Sequence, residues 1–364
     1  MKRKRIPRFL VSVTVALLCA PALQADWSFV MLGDTRGARS TTTTGVSTEL
    51  PAIAAKIASL NPELVLVAGD LCNGNDVPSG STLSYAEQFA NWKTTMAPVY
   101  NYSTGTGIPI YTVRGNHENN DSEGPPIVEL KQAYADAFSG YVPANGPDSA
   151  QQGFSYSFTH NNLTVVAADQ YFFYNQPSRP AGYHDLSRDW VAKQFQESSS
   201  PYKVFMAHVP IFMTEGGGEP EHFFGDDAAG DATRATFWND LGASGAQLYV
   251  TGHIHNETVA STTNAYGDTI IQVLAGNGGA PLDPVGTGQD PGVDLLYTST
   301  QYGFSLATVR ADAMMIQYYS LDTTDNSWSV AAYTTLIPIP EPSSAGLLAA
   351  AILTAVHRRK WRRS

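Results

Sequence analysis

Five apolar runs along this 364-residue chain each stop just short of a side chain that can ligate a metal. Residues 27–32 precede Asp34, 64–68 precede Asp70, and 110–113 precede the run Gly115, Asn116, His117, Glu118. Further on, 204–207 precede His208, and 248–250 precede the pair His253 and His255. In an α/β sheet the carboxyl ends of the strands share one crevice. The ordering therefore predicts that these side chains gather in one place and points to a dinuclear metal site.

Both ends of the chain read as addresses, not as structure. Lys2, Arg3, Lys4, Arg5 and Arg8 form a basic start, 9–20 an apolar stretch, and Leu23, Gln24 and Ala25 a cleavage site before Asp26. This order predicts a secretory signal peptide over 1–25, because the apolar run is well short of the roughly 20 residues a spanning helix needs. At the other end Pro340, Glu341 and Pro342 are followed by an apolar segment, 345–356, and then by Arg358, Arg359, Lys360, Arg362 and Arg363. That three-part order resembles the PEP-CTERM sorting signal, over 338–364 alone. The resemblance implies an exported protein handed to exosortase-type processing machinery, in the periplasm, cell envelope or extracellular space. The competing reading is a C-terminal tail anchor with its basic residues left in the cytoplasm.

Ten of the 22 Lys and Arg lie in those two ends, leaving 12 against 33 Asp and Glu over 26–341, so that segment carries a charge near minus 21. Nonspecific nucleic-acid binding takes its affinity from basic groups on phosphates and is not expected of such a body. An anionic substrate would need local positive charge, which bound metal ions supply. Cys19 falls in the predicted signal, which leaves Cys72 alone and no intramolecular disulfide. Two residues past Asp70, Cys72 reads either as a ligand or, preferably, as a small buried loop residue.

Between the ends, 26–337 shows no internal repeat and no long linker, and strand-like runs alternate with helix-like ones, as in one α/β layer domain. Helices are predicted over 47–60, opened by Ser47 with Glu49 and Pro51 in the first turn, and over 84–96, 128–138, 187–197 and 232–241. After residue 266 no helix intervenes, and 269–275, 303–310, 314–321 and 327–335 are predicted as antiparallel strands. Segments 40–45, 73–81, 214–231 and 280–294 read as loops, the third following His208 closely enough to overhang the site.

Asp, Asn and His offer oxygen and imidazole ligands without thiolate, a set suited to iron, manganese or zinc. Two such ions sharing a carboxylate lower the pKa of a bridging water and clamp both ends of an in-line displacement at phosphorus. The ordered series Gly33-Asp34, Gly69-Asp70, Gly115-Asn116-His117-Glu118, His208 and Gly252-His253-Ile254-His255 resembles the calcineurin-like metallophosphoesterase superfamily over roughly 27–321. Its later part, with Tyr302-Gly303-Phe304-Ser305, looks most like purple acid phosphatases. The resemblance implies a four-layer αββα sandwich of two mixed β-sheets flanked by helices. It also implies a phosphoesterase acting on phosphomonoesters or phosphodiesters through a metal-bound hydroxide.

Carried onto this sequence, the resemblance gives Asp34, Asp70 and His255 to a first ion and Asp70, Asn116, His208 and His253 to a second, with Asp70 bridging. His117 is then the electrostatic stabiliser of the phosphate or the proton donor to the leaving oxygen, oriented by Glu118. Asn116 and Arg36 join it in substrate binding. Two departures stand out. Many relatives carry His two residues after the first Asp, and purple acid phosphatases carry Tyr three residues after the bridging Asp; here those places hold Arg36 and Asn73. The charge-transfer Tyr has no counterpart, so the protein is not expected to be purple.

Arg36 reads as a bidentate phosphate ligand or as an outward loop residue paired with an acid. Arg114 is expected to turn away from the site by strand alternation. His160 and His184 are read as structural and His222 as a solvated loop residue, while Asp169 and Gln170 are left unassigned at the rim. His253 and His255 differ, because Gly252 permits close approach and the two-residue spacing puts both rings on one side of an extended segment. Two other functions fit the same residues. A nucleotidase or cyclic-nucleotide phosphodiesterase would stack a base on Tyr171, Phe172, Phe173 or Tyr174. A catalytically impaired binding protein of the envelope would account for the missing His and Tyr ligands.

Overall fold

The computed structural model describes residues 26–39, 41–120, 126–173, 185–212, 228–286, 290 and 292–338. The predicted signal peptide, the sorting tail beyond Pro338, most of the loop after His208, Tyr174, His184 and His222 lie outside the described residues. The chain runs β1 (Trp27–Leu32), α1 (Leu50–Leu60), β2 (Leu64–Val67), α2 (Tyr85–Thr95), the short hairpin β3 (Tyr100–Asn101) and β4 (Thr106–Gly107), β5 (Ile110–Thr112) and α3 (Val128–Phe138). It continues with β6 (Tyr156–His160), β7 (Leu163–Ala167), α4 (Arg188–Glu197), β8 (Tyr202–Met206), α5 (Ala228–Ala243) and β9 (Leu248–Thr251). The remainder is β10 (Glu257–Thr263), β11 (Thr269–Ala275), β12 (Val293–Ser299), β13 (Gly303–Val309), β14 (Ala313–Leu321) and β15 (Trp328–Pro338).

Two mixed sheets carry the architecture. One has the order β15-β14-β13-β1-β2-β5 and the other β12-β10-β11-β9-β8-β7-β6. In the first, β1, β2 and β5 are parallel; in the second, β7, β8, β9 and β11 are parallel. Strand alternation sorts their side chains into layers. Phe29 and Met31 of β1 join Leu64, Leu66, Val204, Met206, Val250 and Val273 in a core between the sheets. Val30 and Leu32 face the other way, into a core shared with Ile53, Ile57, Phe89, Trp92 and Phe138 of α1–α3. On the far side Val166, Phe205 and Tyr249 pack with Val191 and Phe195 of α4 and Phe237 and Trp238 of α5. The result is the expected order of helices, sheet, sheet, helices. Strands buried on both faces are apolar throughout.

Most predicted elements keep their places with shifted ends. Ser84 caps α2 through a capping box with Glu87, and α3 runs over the residues expected. The first helix starts at Leu50, not Ser47: Ser47 Oγ accepts from Glu49 N at 3.0 Å and donates to the Glu49 carboxylate, so it orders the turn before the helix. α5 is longer than its sequence pattern. Strand β11 is not purely antiparallel, because its other edge pairs in parallel with β9. Strands β6 and β10 were not anticipated, and β12 begins inside the predicted loop 280–294. Among the described residues no helix is long and apolar enough to cross a membrane.

Candidate metal centre

Each ligand candidate leaves its strand at the same edge: Asp34 after β1, Asp70 after β2, Asn116 after β5, His208 after β8 and His253 after β9. Backbone bonds between the exits hold them in register. Asp34 N donates to Gly69 O at 3.0 Å, and Gly252 N donates to His208 O at 2.9 Å. The two sheets are joined at the site itself, where His253 N donates to Asp34 Oδ2 at 2.9 Å.

All six predicted ligands lie in one cluster. Asn116 Oδ1 is 3.0 Å from His208 Nε2 and 3.1 Å from His253 Nδ1, and Asp70 Oδ1 is 3.4 Å from His208 Nε2. Donor atoms bound at about 2.0–2.2 Å to one ion stand roughly 3.0–3.6 Å apart, so this spacing fits a metal. Ligand atoms of Asp34, Asp70 and His208 also share a sphere of metal-binding size. The rings are oriented as metal ligands are. His208 Nδ1 faces Ala68 O at 2.6 Å and His255 Nδ1 faces Pro281 O at 3.0 Å, so each donates that proton to a carbonyl and turns Nε2 inward.

The charge balance also calls for a cation. Asp34, Asp70 and Glu118 are buried carboxylates, and Arg36 is the basic side chain among them. Burial and the neighbouring Asp70 raise Asp34 well above the ordinary carboxylate range, and Asp34 Oδ1 is buried without a hydrogen bond. Buried carboxylates so placed are stabilised by a positive partner.

Arg36 does not point outward. It is 4% exposed, with Nη2 3.3 Å from His255 Nε2 and Nε 3.6 Å from Asp70 Oδ2. Asn73, where a Tyr was sought, accepts from Gly37 N through Oδ1 at 2.7 Å. Glu118 does not orient His117 either. Its carboxylate accepts the backbone N–H groups of Asp70, Leu71, Cys72 and Gly115 at 2.9–3.2 Å, fastening the Asp70 loop to the Gly115 loop. His117 is placed instead by Nδ1 on Asn73 O at 3.0 Å, with Nε2 3.8 Å from Asp70 Oδ2. Burial lowers this imidazole to about 3, so it is neutral near pH 7.

The remaining candidates fall away from the cluster. Cys72 is a free, buried thiol, raised by burial and packed against Glu118. Arg114 turns away from it, as alternation predicts, and meets Asp169 Oδ2 through Nε at 2.9 Å and Nη2 at 2.6 Å. Asp169 is thus a buried ion-pair partner and not a rim residue. His160 pairs with Glu63 at 2.6 Å, far along the chain. Tyr171 is buried in the core under α4 and α5 and is not presented for stacking. Phe172 and Phe173 form an edge-to-face pair.

Two supporting residues escaped the sequence reading. Gln170 Oε1 accepts from His208 N at 2.7 Å and Val209 N at 2.6 Å, fixing the His208 exit. Asp283 Oδ2 accepts from His255 N at 3.0 Å. Neither sits at a spacing that links it to its histidine, so only chain folding reveals the contact.

No curated protein sequence matches the chain. Among solved structures, a purple acid phosphatase from yellow lupin (Lupinus luteus) seeds is 17% identical with a TM-score of 0.61, over 88% of this chain and 55% of its own. The chain therefore spans about half the length of that relative. GAP50, the anchor in the inner membrane complex of Plasmodium, is 14% identical with a TM-score of 0.57, over 88% of this chain and 91% of its own. PhoD is 13% identical with the same TM-score, over 88% and 73%. At such identities the likeness is one of fold. The profile of the calcineurin-like phosphoesterases matches residues 28–257, a span that runs from β1 into β10 and encloses all six ligand candidates. This chain belongs to the calcineurin-like phosphoesterase family.

Proposed function

We propose that the chain is an exported, metal-dependent phosphoesterase that hydrolyses small phosphomonoesters or phosphodiesters. The observation that carries this reading is the convergence of Asp70, Asn116, His208 and His253 at ligand-to-ligand distances. A bound iron, manganese or zinc ion supplies Lewis acidity toward a phosphoryl oxygen and acidifies water. The chain's own residues do the rest. Glu118 and Gln170 fix the loops that carry Asp70 and His208. His117, its one proton on Nδ1 toward Asn73 O, presents Nε2 beside Asp70 as an acceptor at the wall of the crevice. Arg36 places its guanidinium at the same wall of the crevice.

Export and tail processing by exosortase-type machinery rest on the basic-apolar start and on the Pro340-Glu341-Pro342 segment with its basic end. The division into 1–25, 26–337 and 338–364 is part of the same proposal. The test is hydrolysis of an aryl phosphate monoester and of a diaryl phosphate diester by the metal-loaded chain and by Asp70→Ala and His253→Ala. Losing a ligand is expected to cost orders of magnitude, since the ion activates both water and phosphorus. Equal rates in all three proteins would refute the reading.

A further inference from the structure

Arg36 stands where two cations would compete. Its backbone is pinned on both sides, by Arg36 N donating to Asp70 O at 3.1 Å and by a bridge to Val46. The buried side chain enters the space between Asp70 Oδ2 and His255 Nε2, at 3.6 and 3.3 Å, and Asp34 Oδ1 lies 3.8 Å from that same His255 nitrogen. These three atoms belong to the residues that the family resemblance gives to the first ion.

His255 decides which cation they serve. Its Nδ1 faces Pro281 O at 3.0 Å and Asp283 Oδ2 at 3.3 Å, so Nε2 carries the ring's lone pair. One lone pair either ligates an ion or accepts a guanidinium N–H, and here Arg36 Nη2 faces it.

We infer that Arg36 replaces one of the two ions, so that the chain binds a single divalent ion on Asp70, Asn116, His208 and His253 while the guanidinium occupies the place beside Asp70 and His255. The inference deepens the phosphoesterase reading and rests on it. The four-residue set does not need His255: Asn116 Oδ1 stands 3.0 Å from His208 Nε2 and 3.1 Å from His253 Nδ1, and Asp70 Oδ1 3.4 Å from His208 Nε2, with Asp34 alongside Asp70 and His208. The second positive charge is then fixed in the polypeptide and does not depend on metal supply.

The experiment counts ions. The full chain, stripped by chelator and dialysed against Mn(II), is measured by elemental analysis and by electron paramagnetic resonance. Wild type is expected to hold one ion with the spectrum of an isolated Mn(II). Arg36→His is expected to hold two and to show an exchange-coupled pair. His255→Ala should keep the count at one, because its lone pair serves Arg36, whereas His253→Ala should lose the ion. Two ions in wild type, or loss of the ion in His255→Ala, would overturn the inference and leave the phosphoesterase reading standing. No ion in wild type would remove both. Should Arg36→His not fold, the wild-type count and the two histidine variants still decide.

Discussion

Three of the six ligand candidates, Asp34, Asp70 and His253, hold positive φ, at 53°, 52° and 77°. Such conformations cost of order 1–3 kcal/mol each and persist where the surroundings overdetermine them. Here they turn a side chain back across the strand end into the crevice. The glycines before the ligands serve the same crowding. A Cβ at Gly69, itself at φ 88°, would sit 2.6 Å from His208 Nδ1, and one at Gly115 would sit 2.1 Å from Asp70 Oδ1. Glu118 then bears the strain of the Asp70 loop, its two oxygens taking four N–H groups. Burial and Asp70 raise its carboxyl, while those N–H groups favour the ionised form. Glu118→Gln turns one oxygen into a donor facing two donors. The variant should lose about 3 kcal/mol of stability, the scale of leaving buried groups unpaired beside a lost charge, and should bind metal more weakly. Calorimetric unfolding and metal titration check this; wild-type values for both would contradict it.

At the scale of elements, the parallel strands aim the site and a few polar contacts lock the two sheets around it. Arg114 leaves β5 in one sheet and Asp169 leaves β7 in the other, and both are almost fully buried. Asp169 Oδ1 also accepts from Tyr171 N at 2.9 Å. Asp169→Ala strands a buried guanidinium and should cost about 3–5 kcal/mol, read as a lower urea midpoint. A midpoint within error of wild type would show that the pair does not join the sheets. The sequence disclosed this only in half. Alternation told that Arg114 faces away from Asn116, but its partner lies 55 residues on. Helix ends were legible where a local rule acts, as with Ser84 and Glu87. They were misread at Ser47, where a side chain bonds the preceding turn.

Across the whole molecule, the tail strands close the sandwich over the buried Glu257 of β10, which accepts from Ser305 Oγ of β13 and from Asn277 Nδ2. Burial pushes this carboxyl up to about 7. An unfolded Glu releases its proton near 4.5, so between the two values the folded chain binds more protons than the unfolded one and stability falls as pH rises. Glu257→Gln removes that slope. In the metal-stripped chain, the variant's stability relative to wild type should grow from pH 5 to pH 8 by about 3 kcal/mol, at about 1.4 kcal/mol per pH unit. Parallel unfolding curves for the two proteins would refute it. The sequence by itself determined that six ligand candidates follow strand ends and gather in one crevice, because buried parallel strands are apolar along their length and deliver the residues after them to one edge. The tertiary structure alone decided that Arg36 faces inward on His255, that Glu118 serves the backbone and not His117, and that Asp169, Gln170 and Asp283 support the site. Those contacts join residues tens of positions apart through side-chain directions that no local spacing encodes.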